Sequence, residues 1–271
     1  MRALLQSVPS RPAPLLLPSP DVNAVCDNKD ITAEVFGAWM LPQRWVPVQS
    51  QAQQLVATCA SLLEFARAHG AGRPYVLKGS HSTCGYTYRP IAVDASGECA
   101  ALSATVRELV DVQHQHCIGV QPFSPHLRRR EYRFWLVAFP HERPSSYDIA
   151  TAVETRPALQ PGELMSSSSF DGATEAGHAC IQLVRTLLQA QGARVRDFWA
   201  TLLRLRIPAI RFDCFYDPQQ QRAFLNELAP APDAVLFTRT HESQLARIIG
   251  REIAKQWFDA CDAAADSASS S

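Results

Sequence analysis

Residues 208–238, PAIRFDCFYDPQQQRAFLNELAPAPDAVLFT, limit the possible folds more than any other stretch. Two short apolar runs flank a turn built from Asp217, Pro218 and three glutamines, the pattern of a β-hairpin with a loop of about five residues. Strand side chains alternate between faces, so Arg211, Asp213 and Phe215 share one face of the first strand. On the second strand, alternation groups Ala223, Leu225 and Glu227. Asp213 then falls opposite Glu227, with Arg211 one step further along. Two carboxylates side by side repel unless a cation lies between them. Oxygen ligands of this kind suit Mg²⁺, which binds protein carboxylates and nucleotide phosphates together, and Arg211 would hold a phosphate oxygen. A two-sided hairpin with its charges in solvent has the same spacing.

The rest of the chain supplies a fold around this hairpin. A length of 271 residues allows one large domain or two small ones with a real core. The formal net charge is zero, which gives no electrostatic argument for nucleic acid or an anionic membrane as a partner. No apolar run approaches a membrane span. The eight cysteines are scattered without a C-x-x-C pair, which favours a reducing, cytoplasmic compartment. Residues 1–20, broken by prolines, and the tail 262–271 are low in complexity and read as flexible.

Between these ends, a short helix is expected at 31–39 and a strand at 44–48. Residues 51–69 give an amphipathic helix through Leu55, Val56, Cys59, Leu62, Leu63 and Ala66. Strand 74–79 leads into a loop of small residues, 80–85, and a returning strand at 86–91. A helix at 101–112 precedes strands at 117–123 and 131–139. Residues 140–172 lack periodicity and read as a loop, a flap or an insertion. Helices at 174–191 and 194–205 lead into the hairpin, and a last helix spans 242–260. The order argues an α+β fold with mixed or antiparallel sheets. Neither G-x-G-x-x-G nor G-x-x-x-x-G-K-[ST] is present, which removes two common nucleotide folds.

Three blocks stand in a telling order: VLKGSHSTCG, then IGVQPFSPHLRRREYRFWLV, then RFDCFYDPQQQRAFLNELAP. Together they resemble the ATP-grasp superfamily, in which two α+β lobes hold ATP between antiparallel sheets. The match covers about residues 70–240. Within the superfamily, Glu131-Tyr132-Arg133 and the segment AVLFTRTHESQL at 234–245 are similar to the cell-division-cycle protein 123 family, which assists assembly of an initiation factor. Small bacterial ATP-grasp proteins share the Glu-Tyr-Arg element. The implied organisation is a leader 1–20, a small N-terminal segment 21–70, a core 71–261 interrupted at 140–172, and the tail.

The resemblance also implies roles. Lys78 would contact the α- and β-phosphates, with Lys29 a further phosphate contact. Backbone groups from Val120 through Gln121 to Phe123 would hold the adenine edge. Glu131 matches the position that accepts ribose hydroxyls, with Arg133 beside it. Arg211 would stabilise the transferring phosphoryl, and Asp213 and Glu227 would ligate Mg²⁺. The family places an Asn two residues after the second carboxylate, where this chain has Ala229. By alternation Asn226 points away from Glu227 and does not replace it. The implied partners are ATP with a small carboxylate and amine, in a ligase acting through an acyl-phosphate. The alternative is a protein client, in a non-catalytic assembly factor.

Other motifs carry less. His114, His116 and Cys117 lack a second ligand pair for zinc. Arg128–Arg130 read as a solvated turn, and Ser166–Ser169 as a flexible run before a helix. Cys84 has no visible base.

Overall fold

The apolar runs assemble into two antiparallel sheets, each covered on one face by helices. A computed structural model of the chain describes residues 28–48, 52–81, 88–138, 147–156, 166–205, 207 and 209–230. The expected leader, the tail, the helix at 242–260, segment 234–245 and Cys84 lie outside these residues. The small sheet contains β1 (Arg44–Pro47), β2 (Pro74–Gly79), β3 (Arg89–Ala92) and β4 (Cys117–Pro122), in the order β1-β4-β2-β3. The large sheet contains β5 (Glu131–Ala138), β6 (Tyr147–Arg156), β7 (Ser166–Ser169), β8 (Ala209–Asp217) and β9 (Arg222–Pro230), in the order β7-β6-β5-β8-β9.

Helices α2 (Ala52–Ala68) and α3 (Leu102–Arg107, continued by a π turn to Val112) cover the small sheet. Leu55, Leu62, Phe65 and Ala66 of α2 pack on Tyr75, Leu77, Ile118 and Val120. Alternation therefore turns Val76, Lys78, Gly119 and Gln121 to the opposite, open face. Val56 does not join the buried stripe as its spacing suggested and is 71% exposed. One residue beyond Leu55 lies about 100° around the helix, off the core-facing side.

The large sheet is covered by α1 (Lys29–Phe36), α4 (Glu175–Gln189) and α5 (Ala193–Arg204). Phe36 packs edge-on against Phe198 and Phe212 at 5.1 and 5.9 Å between ring centres, an arrangement that aromatic quadrupoles favour. Tyr132, Phe134 and Leu136 of β5 and Ile210, Phe212 and Cys214 of β8 face this core. Their neighbours in sequence, Glu131, Arg133, Arg211 and Asp213, face away from it.

Stretch 140–172, expected as a loop, instead contributes β6 and β7. Ser166–Ser169 form an edge strand paired with Val153–Arg156, not a loop before a helix. Strand β6 is half-buried along most of its length, so side-chain alternation left no signal and the backbone ladder defines it. His114 sits at φ 53°, so the His114–His116 segment turns and does not present two histidines on one extended face. Among the described residues no helix is long and apolar enough to cross a membrane.

Candidate active site

The hairpin β8–β9 pairs Arg211 with Ala229 and Asp213 with Glu227, then Cys214 with Leu225. One extra residue, Asn226, is thus inserted as a β-bulge. The bulge corrects two expectations drawn from strict alternation. Ala223 and Leu225 enter the core with Leu228, and Glu227 does not share their face. Asn226 shares the open face with Glu227. A signal for this was present in Leu-Asn-Glu-Leu: two core leucines three residues apart cannot both face inward from a regular strand.

The open face of the large sheet carries a continuous polar network. Arg211 donates from Nε and Nη2 to Oδ1 and Oδ2 of Asp213, both at 2.6 Å, the bidentate geometry that guanidinium and carboxylate favour. Across the sheet, Arg133 donates from Nε and Nη2 to Glu131 Oε2 at 3.1 and 3.0 Å, and its Nε lies 3.7 Å from Asp213 Oδ2. Asn226 donates from Nδ2 to Glu131 Oε1 at 3.0 Å. Its Oδ1 accepts from Lys78 Nζ at 3.3 Å, a bond that joins the small sheet to the large one. Glu227 lies 3.4 Å from Lys29 Nζ and 3.9 Å from Arg211 Nη2.

Lys29, Lys78, Glu131, Arg133, Arg211, Asp213 and Glu227 therefore converge, although they come from α1, β2, β5, β8 and β9. Four cations face three carboxylates, leaving one excess positive charge that suits an anion. Asp213 is completely buried and Glu131, Arg211 and Lys78 nearly so. Burial, reinforced by the charge of Asp213, pushes the Glu131 carboxyl up to about 7 despite Arg133. Burial lowers the Lys78 ammonium to about 8, with Glu227 opposing the shift. Burial would raise Glu227 as well, but Lys29, then Arg211 and Lys78, outweigh it and hold this carboxyl below its ordinary range.

The sequence called for a cation between Asp213 and Glu227, and the Arg211 guanidinium stands there. Asp213 and Glu227 flank it, and their carboxylate oxygens are hard ligands of the type Mg²⁺ accepts. Among the described residues no group of three or more His, Cys, Asp or Glu side chains forms a metal site. The residues thus fit a magnesium ion that also takes ligands from a bound phosphate, and they do not form an all-protein cage.

The adenine-side residues are less concentrated. Val120 is buried beneath the small sheet and sits on an interior strand, with Arg44 on one side and Leu77 on the other. The Phe123 N–H already donates to Pro74 O at 3.0 Å. Gln121, opposite Val76, is the residue of this stretch whose side chain shares the open face with Lys78. Of the arginine run, Arg129 ends a short helix (Pro125–Arg129), and Arg130, exposed as expected, reaches Glu154 on β6 at 3.0 Å.

No protein-family model and no curated protein sequence matches the chain. Solved structures do match it. D-alanyl-alanine synthetase A from Vibrio cholerae is similar at TM-score 0.55 and 13% identity, over 86% of this chain and 67% of that one. A D-cycloserine synthetase gives TM-score 0.55 and 13% identity, over 86% and 72% of the two chains. Biotin carboxylase from Campylobacter jejuni, in complex with β,γ-ATP, gives TM-score 0.52 and 11% identity, over 86% and 46%. The fold is therefore α+β and of ATP-grasp type, as the sequence blocks implied. The likeness concerns the fold alone and does not extend to the narrower resemblance to the cell-division-cycle protein 123 family.

Proposed function

We propose that the chain is an ATP- and Mg²⁺-dependent carboxylate–amine ligase acting through an acyl-phosphate. The observation that carries this reading is the meeting of Lys78, Arg211, Asp213, Asn226 and Glu227 in one cleft between the two sheets of an ATP-grasp fold. Two of the structural neighbours are named synthetases and a third is bound to β,γ-ATP, which supports the same class.

In this reading Lys78 and Lys29 bind phosphate oxygens as point charges. Glu131 accepts the ribose hydroxyls, held in orientation by Arg133 and Asn226. Gln121 and the carbonyls of the adjoining stretch face the adenine edge. Asp213, Glu227 and Asn226 would hold Mg²⁺, which when bound neutralises phosphate charge. The substrate carboxylate attacks the γ-phosphorus and ADP leaves, with Arg211 offsetting the charge on the transferring group. An amine nitrogen then attacks the acyl carbon, releasing phosphate and a proton. A carboxylate is already ionised, so the first step needs no base.

The non-catalytic assembly-factor reading drew on the missing Asn ligand and on the small N-terminal segment. Asn226, an amide bonded to Glu131 and Lys78, weighs against the first of these grounds and leaves the second standing. The test is ADP and phosphate release from Mg·ATP with a pooled amino-acid and carboxylate library. Release that depends on substrate and disappears in Asp213→Asn and Glu227→Gln is the expected result. Nucleotide binding without release would favour the assembly factor, and absence of both would defeat the ATP-grasp site itself.

A further inference from the structure

The open face of the small sheet carries a polar side chain that its surroundings leave unused. Gln121 is 6% exposed, yet its carboxamide forms no hydrogen bond with any described residue. It is not sealed in either: the unpartnered polar atoms without accessible surface belong to Asn28, Asp30, Ser80, Ser124 and His126. A mostly buried amide loses hydration that it regains only from a partner. The accessible edge leaves room for a ligand to be that partner.

Its place in the sheet says which part of a ligand it meets. Gln121 stands opposite Val76 on β2, two residues along β4 from Gly119, and Gly119 stands opposite Lys78. Side-chain alternation puts Gln121 and Lys78 on the same face. Beyond Gln121 the chain leaves the small sheet and crosses to Glu131, whose Oε1 is joined to Lys78 through Asn226. Where Lys78 holds phosphate and Glu131 holds ribose, Gln121 is left for the base, with the apolar side chain of Val76 beside it. The backbone of the same stretch offers little. Pro122 has no N–H, and that of Phe123 donates to Pro74 O at 3.0 Å.

We infer that the Gln121 carboxamide reads the nucleobase and that the site takes guanine as well as adenine nucleotides. The inference rests on the nucleotide-binding reading of the cleft. A carboxamide sets an acceptor beside a donor. Adenine presents N6–H as donor beside N1 as acceptor, and guanine presents O6 as acceptor beside N1–H as donor. The two edges are the reverse of one another, so a half-turn of the terminal amide torsion matches either. Asn226 lacks this freedom, because Lys78 fixes its oxygen and Glu131 its nitrogen. No described residue fixes Gln121 in that way, and the direction its amide faces follows the base.

The probes are Mg·ATP, Mg·GTP and magnesium tripolyphosphate, which has the phosphates without the base, all measured by calorimetry. ATP and GTP should bind the wild-type protein within about tenfold of one another. Gln121→Met keeps the side-chain length and removes both hydrogen-bonding atoms. It should weaken both nucleotides at least tenfold and leave tripolyphosphate binding unchanged. A larger preference for either nucleotide, or unchanged affinity for both in the variant, overturns the inference while the nucleotide site stands. Loss of tripolyphosphate binding in the variant marks a misfolded cleft, and the wild-type ratio then decides alone. Wild-type protein that binds none of the three defeats the ligase reading and the inference with it.

Discussion

The two sheets solve the same problem in opposite ways. Each buries one face under helices and turns the other toward the polar network that joins the two sheets. The small sheet places Lys78 there among Val76, Gly119 and Gln121, whereas the large sheet places Glu131, Arg133, Arg211, Asp213, Asn226 and Glu227. Strands β8 and β9 have nine residues each, against four to six in the small sheet. A long, bulged hairpin can hold a dense charge network in register, because β8 lies between β5 and β9 and is fixed from both sides. The small sheet contributes one buried cation, Lys78, which donates to Asn226 of the large sheet.

The largest break in this contrast comes from removing the centre of the network. Asp213→Ala leaves the buried Arg211 without its bidentate partner and should cost about 3–5 kcal/mol in urea unfolding, while Asp213→Asn should cost less. Next is Glu131, whose carboxyl is pushed up to about 7. A raised acid pKa means the folded state holds the proton more tightly, so its contribution is complete below about pH 4.5 and is lost as pH rises through 7. Glu131→Gln should flatten stability against pH across that window, as urea midpoints at pH 5 and 8 would reveal.

Lys78→Met probes the other sheet. It should weaken Mg·ATP binding at least tenfold without lowering the melting temperature at pH 7, since burial already disfavours the ammonium. The depressed pKa of about 8 fixes the sign of a second effect. The folded state releases this proton more readily than the unfolded chain, so wild-type stability should gain between pH 8 and 10.5, and the variant should lack that gain. Phosphate binding should also draw in a proton near pH 8, seen as buffer-dependent binding heats. The smallest effect is at Val56, where substitution by Ser should change stability by about 0.5 kcal/mol or less. Leu62→Ala on the same helix should cost about 2–5 kcal/mol.

Much of this arrangement could be read from residues alone. The hairpin was legible because apolar alternation, a Pro-Gln turn and paired charges all agree between Arg211 and Glu227. Lys78 and Glu131 became legible through the order of the three blocks. What escaped has specific causes. Strand β6 alternates poorly because its side chains are half-buried on both faces. Asn226 was set aside because a bulge shifts phase without changing composition. The cavity lined by Asp30, Trp45 and Phe65 draws them from three elements, and no local pattern brings those positions together.

The bulge has one more consequence, for how such a strand can change over generations. Strict alternation makes most single-residue losses ruinous, since every later side chain switches sides. Asn226 is exempt. Deleting it would leave Leu225 inward, Glu227 outward and Leu228 inward, in step with the partner strand. This position can be gained or lost as a unit, adding or removing a cleft amide while the strand keeps its phase. A comparison that aligned this hairpin to others by fixed spacing would therefore find the carboxylate in place and look for the amide on the wrong side of it.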